Sequence, residues 1–183
     1  MIVLPHTGMG VPRACVHLTQ VEDLTTLVDG PAWRARLHDG PILLGHLAND
    51  GNGATVFEAE DRSARRAMDD FVAGCRLPWD RENTEPLAEF VYDLLKIEHD
   101  QATAVATAHR QCRYLIRAAP LGFEMYDGPM MLPLTVAGGV FPDYRRAYEA
   151  ALRTELPPRV FRVELWMGQT RGWVRIRPAP DVS

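Results

Sequence analysis

Trp33-Arg34-Ala35-Arg36-Leu37-His38-Asp39-Gly40-Pro41-Ile42-Leu43-Leu44-Gly45-His46-Leu47 reads as a β-hairpin. Its first half alternates apolar and polar residues with the period of two that a half-buried strand requires. Asp39-Gly40 tolerates the positive φ angles of a tight reversal. Pro41 lacks the N–H that closes a two-residue turn, so a wider loop is expected, and symmetric widening leaves Leu37 opposite Ile42. On that register Trp33, Ala35, Leu37, Ile42, Leu44 and His46 share the core face, while Arg34, Arg36 and His38 point away. His46 is then expected to be a core histidine with a satisfied ring nitrogen.

A sheet with one apolar face must be covered, and the flanking sequence offers the cover. Upstream, residues 2–4 and 13–18 read as short strands. Thr19-Gln20-Val21-Glu22 has capping-box spacing and predicts a helix ending near Asp29-Gly30-Pro31. Downstream, after the loop 49–53 and a short strand through Val56-Phe57, residues 61–75 carry Ala64, Ala67, Met68, Phe71, Val72 and Cys75 at helical spacing. Arg65/Asp69 and Arg66/Asp70 are its exposed (i, i+4) pairs, and Cys75 is expected to point inward as an inert thiol.

Thr84-Glu85-Pro86 predicts the next helix start, with Leu87, Phe90, Val91 and Leu94 as the buried stripe. Its pattern continues to Gln111, with a break expected near His99-Asp100. Residues 114–118 and 121–126 read as strands, followed by a turn at Asp127-Gly128-Pro129 and a strand through Leu134. A helix over 142–152 and a hairpin of 160–166 with 173–177 complete the chain. The predicted fold is α+β: an antiparallel or mixed sheet built from hairpins, covered by about four helices, with residues 1–183 forming one globular domain.

His38-Asp39-Gly40-Pro41 and Tyr126-Asp127-Gly128-Pro129 are each followed by glycines, Val-Phe (56-57 and 140-141) and Arg-Arg-Ala (65-67 and 145-147). The parallel suggests an internal hairpin–helix duplication. The alternative is that Asp-Gly-Pro is an economical turn recurring by chance.

The 183 residues suffice to bury a core without disulfides, and 46% hydrophobic with 24% charged content suits a globular chain. The longest apolar run, 130–140, is broken by Pro133 and Gly138 and falls far below the roughly 20 residues of a membrane helix. No secretory signal is evident in residues 1–10, and three scattered cysteines (Cys15, Cys75, Cys112) suggest no disulfide framework. A cytoplasmic protein without a membrane partner is expected. Net charge is −4, yet 49–100 is rich in Asp and Glu while 101–177 carries most arginines, which suggests an interaction surface.

Several groupings hint at chemistry. Asn49-Asp50-Gly51-Asn52-Gly53 resembles part of a calcium loop but places Ala48 and Ala59 where ligands belong, so an Asx turn is expected and no metal. Gly8-Met9-Gly10 opens no familiar nucleotide-binding loop, and no cofactor is expected. His109 and Cys112 are helical neighbours, but Glu98 lies three turns from His109 and cannot share a metal with it. Cys15 and His17, two apart on a strand, are the catalytic candidates as a thiolate–imidazole pair. The alternative is a buried structural cysteine beside an incidental histidine.

The last hairpin is the most informative surface. With Trp166 opposite Trp173, one face carries Phe161, Val163, Leu165, Val174 and Ile176. The other carries Arg162, Glu164, Trp166, Trp173, Arg175 and Arg177; the alternative to a binding role is that the Trp pair stiffens the hairpin, Glu164 neutralises Arg175 and a helix covers the face. Trp and Arg combine large contact area with directional polar groups and dominate binding hot spots; they also stack bases and contact phosphates. The leading reading is a small non-enzymatic interaction or regulatory protein that binds a protein partner through Arg162, Trp166, Trp173, Arg175 and Arg177. An enzyme with a site assembled from scattered His, Cys and acidic residues comes second. Sequence-independent nucleic-acid binding comes third.

Overall fold

A computed structural model of the chain describes residues 1–25, 32–80, 84–120, 129–156 and 160–177, with Pro120, Phe161 and Arg177 described in backbone only. These residues belong to two compact units, Met1–His99 and Asp100–Ser183. The fold is α+β, with antiparallel sheets built from hairpins and three helices among the described residues.

In the first unit, β1 (Ile2–Val3) pairs with β2 (Gly10–Val11). A four-stranded sheet follows in chain order: β3 (Val16–Asp23), β4 (Ala32–Asp39), β5 (Ile42–Asp50) and β6 (Val56–Ala59). Helix α1 (Arg62–Gly74) is capped by Asp61, whose side chain accepts from Ala64 N–H. Ala64, Met68, Phe71 and Val72 form its buried stripe, at the spacing expected. The Arg65 guanidinium donates to the Phe57 carbonyl and lies over the Phe57 ring.

The β4–β5 hairpin corrects the expected register. Asp39 pairs with Ile42, so Gly40-Pro41 is the whole connection. A bulge then makes Leu37 face Gly45 instead of Ile42. Beyond the bulge the phase of β5 is reversed, so that Leu47 takes the core face; Leu44 is buried as expected, while Ile42, at the end of the hairpin beside Asp39, is 63% exposed. His46 leaves the core face for the register of Arg36 and Glu58, on the outward side. Gly45 is required at the crossing: its φ is +147°, and a Cβ there would lie 2.1 Å from the Glu58 carbonyl oxygen.

The helix expected from Thr19 does not form, because β3 continues to Asp23. Val16 and Leu18 bury on the sheet's core face, and a bulge between Thr19 and Glu22, with Gln20 at φ +49°, lets Val21 pack against the same cluster. Strand pairing with β4 thus outweighs the local capping pattern. The expected end of that helix, 29–31, lies outside the described residues.

Thr84 does not start a helix either. Its N–H and hydroxyl both bind Asp80, Leu87 is 60% exposed, and α2 runs Ala88–Arg110 without a break at His99-Asp100. Val91, Tyr92, Leu94 and Leu95 carry its buried side in the first unit. There Glu98 accepts from the N–H groups of His6 and Thr7 and from the Thr7 hydroxyl, tying down the β1–β2 turn.

The second unit holds β7 (Tyr114–Pro120), β8 (Met130–Leu134), α3 (Tyr144–Arg153), β9 (Val160–Trp166) and β10 (Trp173–Arg177), with strand order β10-β9-β7-β8. Asp143 caps α3. Ala147 and Ala151 pack on Ile116, Val163, Leu165 and Ile176 in a cluster of their own, so the described residues hold two apolar clusters. The expected strand 121–126 and turn residues Asp127-Gly128 lie outside the described residues. The duplication does not hold. The first sheet follows chain order and the second does not, and Val140-Phe141 is loop where Val56-Phe57 is strand.

Candidate partner-binding surface

β9 and β10 occupy the expected residues, with Trp173 opposite Trp166, Val174 opposite Leu165 and Arg175 opposite Glu164. Val163, Leu165 and Ile176 bury against α3, and Val174 is partly buried beside them. Strand alternation sends Arg162, Glu164, Trp166, Trp173 and Arg175 to the opposite face. The two indoles meet edge to face at 5.3 Å.

That face is organised by a residue outside the hairpin. Arg117, in β7, stands opposite Glu164 across the β7–β9 ladder. Its Nε donates to one Glu164 carboxylate oxygen, and Arg162 donates to the other. Arg117 Nη1 also donates to Gln101 Oε1 of α2 at 3.0 Å, and its guanidinium carbon lies 4.5 Å from the Trp173 ring centroid. The Arg117 and Glu164 side chains are only 14% and 6% exposed. Such a pair tolerates burial because further hydrogen bonds and a ring face satisfy it.

Glu164 therefore serves Arg117 and Arg162. Trp166 is 6% exposed and supports the face from within, Trp173 is half-buried, and Arg162 and Arg175 are exposed. The Arg177 side chain lies outside the described residues. Sequence reading missed Arg117 and Gln101. An arginine inside Tyr114-Leu115-Ile116-Arg117-Ala118 was the available signal, but the pairing of β7 with β9 spans a separation of 47 residues that no local pattern encodes.

Cys15, two residues before His17, is exposed rather than buried. The His17 Nδ1 lies 2.9 Å from the Cys15 carbonyl oxygen, and its ring stacks on His38. The Cys15 thiol is hydrogen-bonded to Asp39, which with burial and the carboxylate's charge raises its pKa, and Arg13 pairs with the same Asp39. A raised pKa lowers the thiolate fraction and hence reactivity. Cys15, although exposed, should thus alkylate slowly near neutral pH, with the rate rising only above the ordinary thiol range. Asp39→Asn should speed that labelling several-fold at pH 8, read by mass spectrometry of iodoacetamide-treated folded protein; an unchanged rate would remove Asp39 as the cause.

Cys75 is fully buried, its thiol pushed up to about 12 by burial. His109 packs on Phe141 at 4.9 Å, and Cys112 turns the chain at the α2 terminus with φ +53°. The niche among Val105, His109, Tyr144 and Trp166 has a volume of about 10 Å³, room for roughly one water. Burial raises the Asp93 pKa, but its carboxylate is occupied by the Thr55 hydroxyl. In the 49–53 loop, Asn49 and Asp50 side-chain oxygens accept from Gly51 and Asn52 N–H, an Asx arrangement. Among the described residues no three His, Cys, Asp or Glu side chains are grouped to hold a metal, and no helix is long and apolar enough to cross a membrane. All three cysteines are free thiols.

Comparison with protein-family models, curated proteins and solved structures finds no match to this chain.

Proposed function

We propose that this is a cytoplasmic interaction or regulatory protein that binds a protein partner through the β9–β10 face, without chemistry of its own there. One observation carries the reading. Glu164 is the only carboxylate among the described strand residues of that face, and it is already shared by Arg117 and Arg162. Arg175 and much of Arg162 therefore offer cationic hydrogen-bond donors beside a half-buried indole, the composition of a binding hot spot. Trp166 backs Trp173, and Arg177 continues the strand.

Replacing Arg162, Arg175 and Arg177 together by Gln tests this. The changes at Arg162 and Arg175, both exposed, should each shift stability by no more than about 0.5 kcal/mol. A protein captured by the native chain in a pull-down should be lost with the folded triple variant. Capture centred on Trp173 should persist as salt is raised, whereas a nucleic-acid partner would dissociate steeply as its counterions return. Equal capture by both chains excludes the face.

A further inference from the structure

On the outward face of the first sheet, His17 of β3 and His38 of β4 stand directly opposite each other. Their rings stack with centroids 5.6 Å apart and planes inclined by 26°. His17 is exposed and His38 half-buried, so solvent reaches the pair from the side away from the buried Leu18 and Leu37. Beside them the Cys15 thiol and the Asp39 carboxylate are engaged with each other, and Asp39 also pairs with Arg13.

The contact at His17 Nδ1 decides which ring nitrogen can act as a ligand. A carbonyl oxygen can only accept, so Nδ1, 2.9 Å from the Cys15 carbonyl oxygen, carries the proton and Nε2 keeps its lone pair. Metal-binding histidines are oriented in this way, one ring N–H anchored on a carbonyl or carboxylate while the other nitrogen coordinates. Bonds of about 2.1 Å from zinc to two imidazoles set the ring centroids roughly 5–6 Å apart. The observed 5.6 Å lies within that span. Turning the His38 ring about χ2, a broad torsion, aims its nitrogen at an ion on His17 without moving either strand.

We propose that His17 and His38 form a two-imidazole site for a divalent transition ion of the zinc type, bridging β3 and β4. Imidazole suits Zn²⁺, Cu²⁺ and Ni²⁺, whereas Mg²⁺ and Ca²⁺ take oxygen ligands. Among the described residues no third His, Cys, Asp or Glu is grouped with the pair, so water completes the coordination and the ion exchanges freely. Its structural effect is to clip β3, an end strand, to its neighbour.

The probe is Zn²⁺ alone, titrated by calorimetry into the full chain near neutral pH in a buffer that does not chelate it. His17→Gln and His38→Gln should each weaken binding at least about ten-fold, the lower end of what loss of even a supporting contact costs a metal site. Cys15→Ser should leave it unchanged. In the parent protein the ring C–H resonances of His17 and His38 should shift together during the same titration, a readout that needs no variant to fold. Zn²⁺ should also raise the melting temperature of the parent and of neither histidine variant. Binding retained by both histidine variants, or lost only with Cys15→Ser, would overturn the site. Resonances that move for one histidine alone, or no binding by the parent at millimolar Zn²⁺, would overturn it equally. None of these outcomes bears on the β9–β10 face.

Discussion

Glu164→Leu is expected to destabilise the second unit by about 3–5 kcal/mol, because it takes the Glu164 carboxylate away from the buried Arg117 guanidinium. Arg117 is 14% exposed on its side chain, and two of its further contacts, Gln101 and the Trp173 ring, are neutral. Arg117→Met should cost a comparable amount by stranding Glu164 at 6% exposure, relieved only in part by Arg162 at the half-open edge. The double variant Arg117→Met/Glu164→Leu should recover most of the loss, since a buried ion pair is often replaceable by apolar residues of similar volume. Urea unfolding of the four proteins in a double-mutant cycle measures the coupling directly. If Glu164→Leu alone costs less than about 1 kcal/mol, the pair behaves as a solvated surface bridge and the organisation of this face is wrong.

Gly45→Ala should be the most damaging single-methyl change in the first unit. The new Cβ would lie 2.1 Å from the Glu58 carbonyl oxygen and 2.9 Å from the Ala59 Cα, both backbone atoms that no rotamer change can move. It would also hold a non-glycine residue at φ +147°. Strain and overpacking of this kind cost about 1–3 kcal/mol each, so a loss of about 3 kcal/mol or detachment of β6 is expected. Thermal unfolding together with hydrogen exchange at Phe57 and Glu58 separates the two outcomes. A melting temperature within a degree or so of the parent would show that β5 and β6 approach less closely than this.

The elements that were legible are those whose signals are local. Asp61 followed by a stripe from Ala64 to Val72 specifies α1, and Trp166 and Trp173 bracket a six-residue connection that fixes the last hairpin. The misread elements are those decided by neighbours distant in sequence. Thr19-Gln20-Val21-Glu22 satisfies a helix start on its own terms, yet pairing with β4 and burial of Leu18 take it into a strand. The hairpin 33–47 was recognised but not its bulge, because only the approach of β6 shows why Gly45 is glycine. At the candidate surface, alternation located Arg162, Trp173 and Arg175 but could not show that Arg117 would arrive from β7 and take Glu164 from them.

Trp166 and Trp173, 5.3 Å apart and inclined at 63°, are close enough to share electronic excitation. Arg117 holds a positive charge against one of the two, biasing the energy of its excited state. The hairpin thus contains its own optical label: separating the strands, discharging the carboxylate that steadies Arg117, or covering Trp173 each perturbs the same pair of chromophores, and no dye need be attached to watch it.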